Sequence, residues 1–417
     1  METKRLLKIT KGLDVVSEET SLPPGAVRRA NEIVSDRSGA WGRRPGYALA
    51  AVAPGAHSLY GARQRALTVF AAGDTLYELT GPSWSAQGLF LGLMAAAPVG
   101  YAELEGSLWF TQPGLVARVL PDGSVRKPGV GSLANTKPTL INLPNGALKA
   151  ARYGVAYSVV NDLGEESGLS DTAYIDSPGG GLMAAGLQYD FGYVSTVRIY
   201  MTPPNGDAFY LAGELDAASS ASITNQILTK PARNQYLDVL PGGRFIGHFR
   251  GRTYVADGRF LRFSDSFNSG LYDTRQSAIV FEGETTGILP VVNGIFVGQP
   301  DRTLFLSGTG PGDFKQLQAS PHAMFSGSGA LAPASMFNPK VVPADFKEVA
   351  IWLSEVGFVV GTPDGVTVPL QADRIVFAGE GPAATLVFNR HGIKQAVSVV
   401  KSMGLTGSAD AADTTLP

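Results

Sequence analysis

The chain has 417 residues, 44% hydrophobic and only 17% charged, with a formal net charge of −2 and no cysteine. Its length allows two or three domains and its hydrophobic share a large core. The charge balance excludes a global basic field for nucleic acid, and the missing cysteines exclude disulfides and thiolate metal sites. Average soluble proteins carry about 25% charged residues, so a surface this poor in charge is expected to be covered in part by partners. The 51 glycines and 27 prolines imply many tight turns, the mark of an all-β chain.

The chain opens on METKRLLKITKGLDVV, which has no continuous apolar core and does not read as a secretory signal. PPGAVRRANEIV from Pro23 is the one early helix candidate, with prolines placed as at a helix start. SDRSGAWGRRPGYALA, residues 35 to 50, combines Arg37, Arg43 and Arg44 with glycines and Trp41. A phosphate site uses such residues, but no helix follows to supply free N–H groups. A strand–turn–strand entry to the fold is the better reading, with Pro45 ending the pairing at an edge. Arg43 and Arg44 are left to face a neighbouring subunit or DNA. The longest apolar run, LFLGLMAAAPVGY from Leu89, falls short of the ~20 residues that span a bilayer. A soluble product without membrane insertion is expected.

Six segments share one pattern, a strand, a tight polar or glycine turn, and a second strand. They begin at Ala66, Glu105, Phe249, Val291, Glu348 and Ala384. Gly73-Asp74, Asp122-Gly123, Asp257-Gly258 and Asp364-Gly365 are turn pairs that tolerate positive φ. Apart from one large gap, the segments recur about every 40 to 55 residues, the blade period of a β-propeller. A blade cannot bury both faces alone, so six or seven must close into a ring. The competing fold is a β-sandwich with many hairpins.

The gap holds ARYGVAYSVVN and then VRIYM and FYLAGEL across Pro204-Asn205-Gly206-Asp207. Several short strands in about 100 residues suit an immunoglobulin- or fibronectin type III-like sandwich, inserted where loop entropy makes insertion inexpensive. The expected organisation is an arm and first blades in 1–135, the inserted sandwich in 136–240, the remaining blades in 241–402 and a flexible tail in 403–417.

Chemistry is sparse. The four histidines, His57, His248, His322 and His391, share no ligand spacing. There is no GxSxG elbow, and the glycine-rich Gly308–Lys315 stretch lacks phosphate-loop spacing and reads as a turn. Asp162, Glu165 and Glu166 in NDLGEES lack the alternation of a calcium loop and read as a solvated turn. SDSFNSGLYD, Ser264 to Asp273, is faintly similar to the Asp-box turn of propeller glycosidases, but Asp265 and Glu282 cannot be paired as two flanking acids from sequence. Arg28-Arg29, Arg43-Arg44 and the group Arg244, Arg250, Arg252, Arg259 and Arg262 are the basic clusters. The last alternates with Phe245, Phe249, Tyr254 and Phe260. It offers either a passage for DNA, which needs only cations for backbone contact, or surface arginines stacked on aromatic neighbours. No catalytic, cofactor-binding or metal-ligating residue is assigned, and the chain is expected not to be an enzyme.

Gly12, Pro24-Gly25, Ala30-Asn31, Gly39 and Arg43-Arg44-Pro45-Gly46-Tyr47 together resemble the N-terminal signature of bacteriophage tail propeller proteins. YVADGRFLRFSDSFNSGLYD resembles a blade of that family. GEESGLS with VRIYMTPPNGDAFYLAGEL resembles the fibronectin-like insertion its members carry. The resemblance implies a virion structural protein of the nozzle or tail-accessory kind, non-enzymatic and placed in the phage tail after synthesis in host cytoplasm. It implies a hexameric ring of copies around the DNA channel, with non-specific contact to the genome. The neighbours it implies are the head-to-tail adaptor on the portal side and fibres or spikes, and the process is genome ejection. A tail-fibre, baseplate or decoration protein on the same fold is the alternative, followed by a propeller glycoside hydrolase.

Overall fold

The computed structural model describes residues 11–401 apart from 32, 36–40, 44, 45, 47–51, 82, 83, 190–192, 378–380, 391 and 392. Gly39, Arg44, Pro45, Tyr47 and the tail 403–417 therefore lie outside the described residues. At the N-terminus two short strands, β1 (Gly12–Leu13) and β2 (Ala26–Val27), pair in parallel, and β3 (Ile33–Ser35) pairs antiparallel with β4 (Trp41–Arg43). The expected helix from Pro23 does not form. Gly25 takes φ +89 directly after the two prolines, and Ala26 N–H closes a turn onto Pro23 O. A left-handed residue at that point breaks the helical path, and the chain continues as β2.

Five four-stranded antiparallel sheets follow. The first is β5 (His57–Gly61), β6 (Thr68–Ala72), β7 (Thr75–Thr80) and β8 (Ser85–Leu91). The second is β9 (Gly100–Leu104), β10 (Ser107–Gln112), β11 (Leu115–Val119) and β12 (Val125–Arg126). The sandwich then intervenes, with β13 (Thr139–Leu148), β14 (Ala151–Asn161), β15 (Ala173–Ser177), β16 (Gly180–Ala185), β17 (Val194–Met201), β18 (Tyr210–Asp216) and β19 (Ser220–Ile223). After the linker strand β20 (Leu237–Val239) comes the third sheet, β21 (Phe245–Phe249), β22 (Arg252–Asp257), β23 (Phe260–Phe263) and β25 (Ala278–Val280). An excursion carries β24 (Leu271–Asp273) out to pair with β20. The fourth sheet is β26 (Gly287–Val291), β27 (Gly294–Gly298), β28 (Thr303–Ser307) and β29 (Lys315–Ser320). The fifth is β30 (Ala330–Pro333), β31 (Glu348–Ser354), β32 (Gly357–Gly361) and β33 (Thr367–Pro369). The hairpin β34 (Ala383–Arg390) and β35 (Ile393–Val400) continues the series with two strands.

Each sheet is an up-and-down meander, and successive sheets pack face to face as propeller blades do. Leu76, Val69, Leu108 and Phe110 join the first to the second. Trp109, Val116, Ile246 and Val255 join the second to the third. Tyr254, Leu261, Ile288 and Ile295 join the third to the fourth, and Phe296, Phe305, Trp352 and Val359 the fourth to the fifth. Val387 and Ala396 of the hairpin cover Val349 and Ile351 of the fifth. The first strands of neighbouring sheets approach closely. A Cβ on Gly247 would lie 2.7 Å from Pro290 Cγ, and one on Gly100 2.7 Å from the Arg244 carbonyl oxygen. Glycine is used there for space.

In the sandwich, β15-β14-β17-β18 faces β13-β16-β19. Alternation in ARYGVAYSVVN puts Tyr153, Val155, Tyr157 and Val159 on the inner face. They meet Val197, Ile199, Leu182 and Ile223 in one buried cluster. In the three-stranded sheet β16 is central, with β13 on one edge and β19 on the other, both antiparallel to it. The fold is all-β, a propeller with an inserted immunoglobulin-like sandwich.

Candidate functional site: the junction of sandwich and propeller

The turn NDLGEES ends β14 and determines how the sandwich is held. Asn161 Oδ1 accepts from the N–H groups of Leu163 and Glu165 at 3.0 and 2.9 Å, an Asx-type lock on the turn. Two carboxylates then project toward the second blade. Asp162 receives two bonds from Arg126, at 2.8 and 3.1 Å, and Glu165 one from Arg118 at 2.8 Å. The Arg126 guanidinium stacks on the Tyr193 ring 4.0 Å away, and that of Arg118 lies 5.4 Å from the centre of the Trp109 ring. The hydrogen bonds from Arg126 hold the Asp162 carboxyl below its ordinary range. Bidentate arginine pairs add orientation as well as energy, so the clamp sets the angle of the sandwich on the blade.

Glu166 turns the other way, into the junction. Its Oε1 accepts from Ser158 Oγ (2.6 Å), Tyr200 OH (2.8 Å) and Asn234 Nδ2 (3.1 Å), and its Oε2 from Arg198 Nη1 (2.5 Å). Arg198 also bonds Glu214 at 3.2 Å. Burial, then the Glu166 charge, raise the Tyr200 phenol above its ordinary range, so it stays a neutral donor. Asn234 spends its amide hydrogens on Glu166 and the Ser167 carbonyl, leaving a buried Oδ1 without a partner. Glu166, Arg198, Tyr200, Glu214 and Asn234 line a cleft of about 520 Å³ together with Arg233 and Asp265. The linker leaving the sandwich is tied down on both sides. Leu169 N–H bonds Asn234 O, and Leu237–Val239 pairs with Leu271–Asp273.

The residues singled out in the sequence are dispersed. SDSFNSGLYD is the excursion that supplies β24 to the linker, a structural clasp. Asp265 sits 3.8 Å from Arg252, whereas Glu282 engages Arg302 at 2.5 Å, so each acid has its own arginine. In the Gly308–Lys315 turn, the N–H groups of Thr309 and Gly310 and the Thr309 hydroxyl all bond Asp313 at 2.7–3.0 Å. The chain's own carboxylate fills the place of an anion, and these bonds, the Thr309 hydroxyl first, lower its pKa.

The arginine group does not form one face. Arg244 and Arg250 flank opposite ends of β21 and reach Ser326 Oγ and Val292 O. Arg259 bonds Phe281 O, and Arg252 bonds Ser264 O. Arg250 lies over Phe249, Arg252 over Phe263 and Arg262 over Phe260, the aromatic-stacked alternative. Arg28 bonds Ser17 O, and Arg43 is exposed on β4. Among the described residues no group of three or more His, Cys, Asp or Glu comes together, and no helix is long and apolar enough to cross a membrane.

The clamp itself was not legible beforehand. Arg118 and Arg126 carry no motif, and their partners lie 47 and 36 residues away. A second bridge joins the first blade to the fifth: Arg63 reaches Glu348 at 3.1 Å and the Leu331 carbonyl. Glu103 fixes the turn that carries Arg63 by accepting its N–H and that of Gln64, both at 2.7 Å.

No protein-family model matches the chain, and no curated protein is similar to it in sequence. Among solved structures, the chain is similar to BBS1N in complex with ARL6DN at 12% identity, over 84% of this chain and 93% of that one, with a TM-score of 0.29. Streptogramin B lyase matches at 11% identity over 85% and 96%, TM-score 0.29. Apo AztD from Citrobacter koseri matches at 12% identity over 88% and 94%, TM-score 0.28.

Proposed function

We propose that this chain is a non-enzymatic structural subunit of a bacteriophage tail, assembling as a ring of copies between the head-to-tail adaptor and the distal tail parts. The observation that carries the reading is the N-terminal signature from Gly12 to Tyr47, with the blade stretch YVADGRFLRFSDSFNSGLYD and the GEESGLS insertion. The sandwich clamp is consistent with such a role, because a load-transmitting subunit needs its domains held at a fixed angle. In this reading the genome passes through the ring of subunits. Closed rings arise from heterologous contacts. Native mass spectrometry of the purified chain tests the reading: a defined multi-copy ring, six by family resemblance, is expected. A strict monomer that cleaves glycans would overturn it.

A further inference from the structure

The chain holds three Asn-Gly pairs, Asn145-Gly146, Asn205-Gly206 and Asn293-Gly294. An asparagine followed by glycine is especially prone to spontaneous loss of its side-chain amide, because glycine puts no Cβ in the way of ring closure. The fold treats the three pairs differently.

Asn205 is locked in its turn. It holds φ +55, its N–H donates to Arg152 O at 2.9 Å, and its Oδ1 accepts from the Arg152 N–H at 3.1 Å. The N–H of Gly206, the group that would attack, donates to Pro203 O at 3.0 Å. Asn293 spends its Nδ2 on Asp364 Oδ1 at 2.8 Å, and Gly294 is buried at the start of β27, in register with Val291 and Ser307. Asn145 has neither restraint. It is exposed, as is Gly146, and among the described residues its side chain makes no hydrogen bond. The pair lies in the bulge of β13, where the register with β16 jumps from Leu143–Gly181 to Leu148–Gly180. A bulge leaves its extra residues outside the ladder.

We infer that Asn145-Gly146 is a site of spontaneous covalent modification, where the folded chain is converted by water ahead of its other Asn-Gly pairs. Hydroxide takes the Gly146 amide proton, and the nitrogen attacks Asn145 Cγ. The Cγ–Nδ2 bond breaks, and the amide group leaves as ammonia with a proton from water. The resulting succinimide ring is opened by water at either carbonyl, which gives aspartate or isoaspartate at position 145. Isoaspartate carries the main chain through the former side chain and adds one methylene to the bulge. There is little room for it. A Cβ on Gly181 would lie 2.6 Å from Asn145 O, and one on Gly180 3.0 Å from Pro144 O. Both glycines belong to β16, the central strand of its sheet, so the product strains the sandwich. The inference is independent of the tail reading.

Peptide mass spectrometry of the full chain, aged in mildly alkaline buffer with and without denaturing urea, tests it. In urea the three pairs are expected to convert at similar rates. In the folded chain Asn145 should keep its urea rate. Asn205 and Asn293 should convert about tenfold more slowly or less, the factor set by opening the hydrogen bonds that hold them. Asn145→Gln should remove the leading product. Aged wild type should also unfold at lower urea concentration than Asn145→Gln aged alongside it. Conversion at Asn145 in the folded chain as slow as at Asn205 or Asn293 would overturn the site. Aged protein that is converted at Asn145 yet unfolds together with Asn145→Gln would overturn the strain on β16.

Discussion

His248 shows how burial alone sets the behaviour of a residue. It lies on β21 against the edge of Trp109, ring centres 5.4 Å apart, with Thr253 Oγ1 3.1 Å from its Nδ1 and no partner for the buried Nε2. Burial disfavours the imidazolium and lowers the pKa from 6.5 to about 4. The unfolded chain takes up this proton near pH 6.5, and the folded chain resists it until about pH 4. The associated stability is therefore complete above pH 6.5, falls as the pH drops through that interval and levels off below it. Between pH 7 and 5 the loss is about 2 kcal/mol. Urea unfolding followed by tryptophan fluorescence should show it, and His248→Gln should flatten the slope. A slope that survives the substitution assigns the effect to another group. Nothing in the sequence around His248 announces this, because its neighbour Trp109 belongs to another blade.

At the scale of elements, the repeat was legible because it is local. The six segments fall on strand pairs such as β6–β7, β10–β11 and β31–β32, whose turns need glycine or aspartate at fixed places. Gly73, Gly114 and Gly357 take positive φ at those turns, and Gly123, Gly258 and Gly365 do so in the turns β11–β12, β22–β23 and β32–β33. The sandwich strands were legible from alternation. The clamp and clasp were not, because both join residues that only the blade order brings together: Arg126 with Asp162, and Leu271–Asp273 with Leu237–Val239. Glu166 is the centre of the junction, and Glu166→Ala leaves Arg198, Tyr200 and Asn234 without their shared acceptor. A loss of about 2–4 kcal/mol is expected, read as earlier denaturant unfolding of the sandwich. The Asp162–Arg126 pair is exposed and screened by solvent, so Asp162→Asn should shift stability little while loosening the angle between sandwich and blade, measurable by small-angle scattering. Between the blades, Gly247→Ala would press a methyl against Pro290, and overpacking of this kind costs about 1–3 kcal/mol. A thermal midpoint equal to wild type would show that the first strands have room to separate.

At the scale of the whole molecule, the all-β propeller with an inserted sandwich follows from composition, turn spacing and the interrupted repeat. Five blades carry four strands each, and the terminal hairpin adds two more. The assembly is a matter of surfaces, on which a single sequence is nearly silent. The arginines that suggested a DNA passage are engaged with carbonyls and aromatic rings around the third blade, and much of the stretch Gly39 to Tyr47 lies outside the described residues. The most direct test of the tail assignment is cryo-electron microscopy of intact particles that encode this chain. Density for the propeller and its clamped sandwich is expected, repeated around the tail axis with the genome path through the centre of the ring. Particles whose tails lack this chain, or carry it as a single copy off the axis, would contradict it.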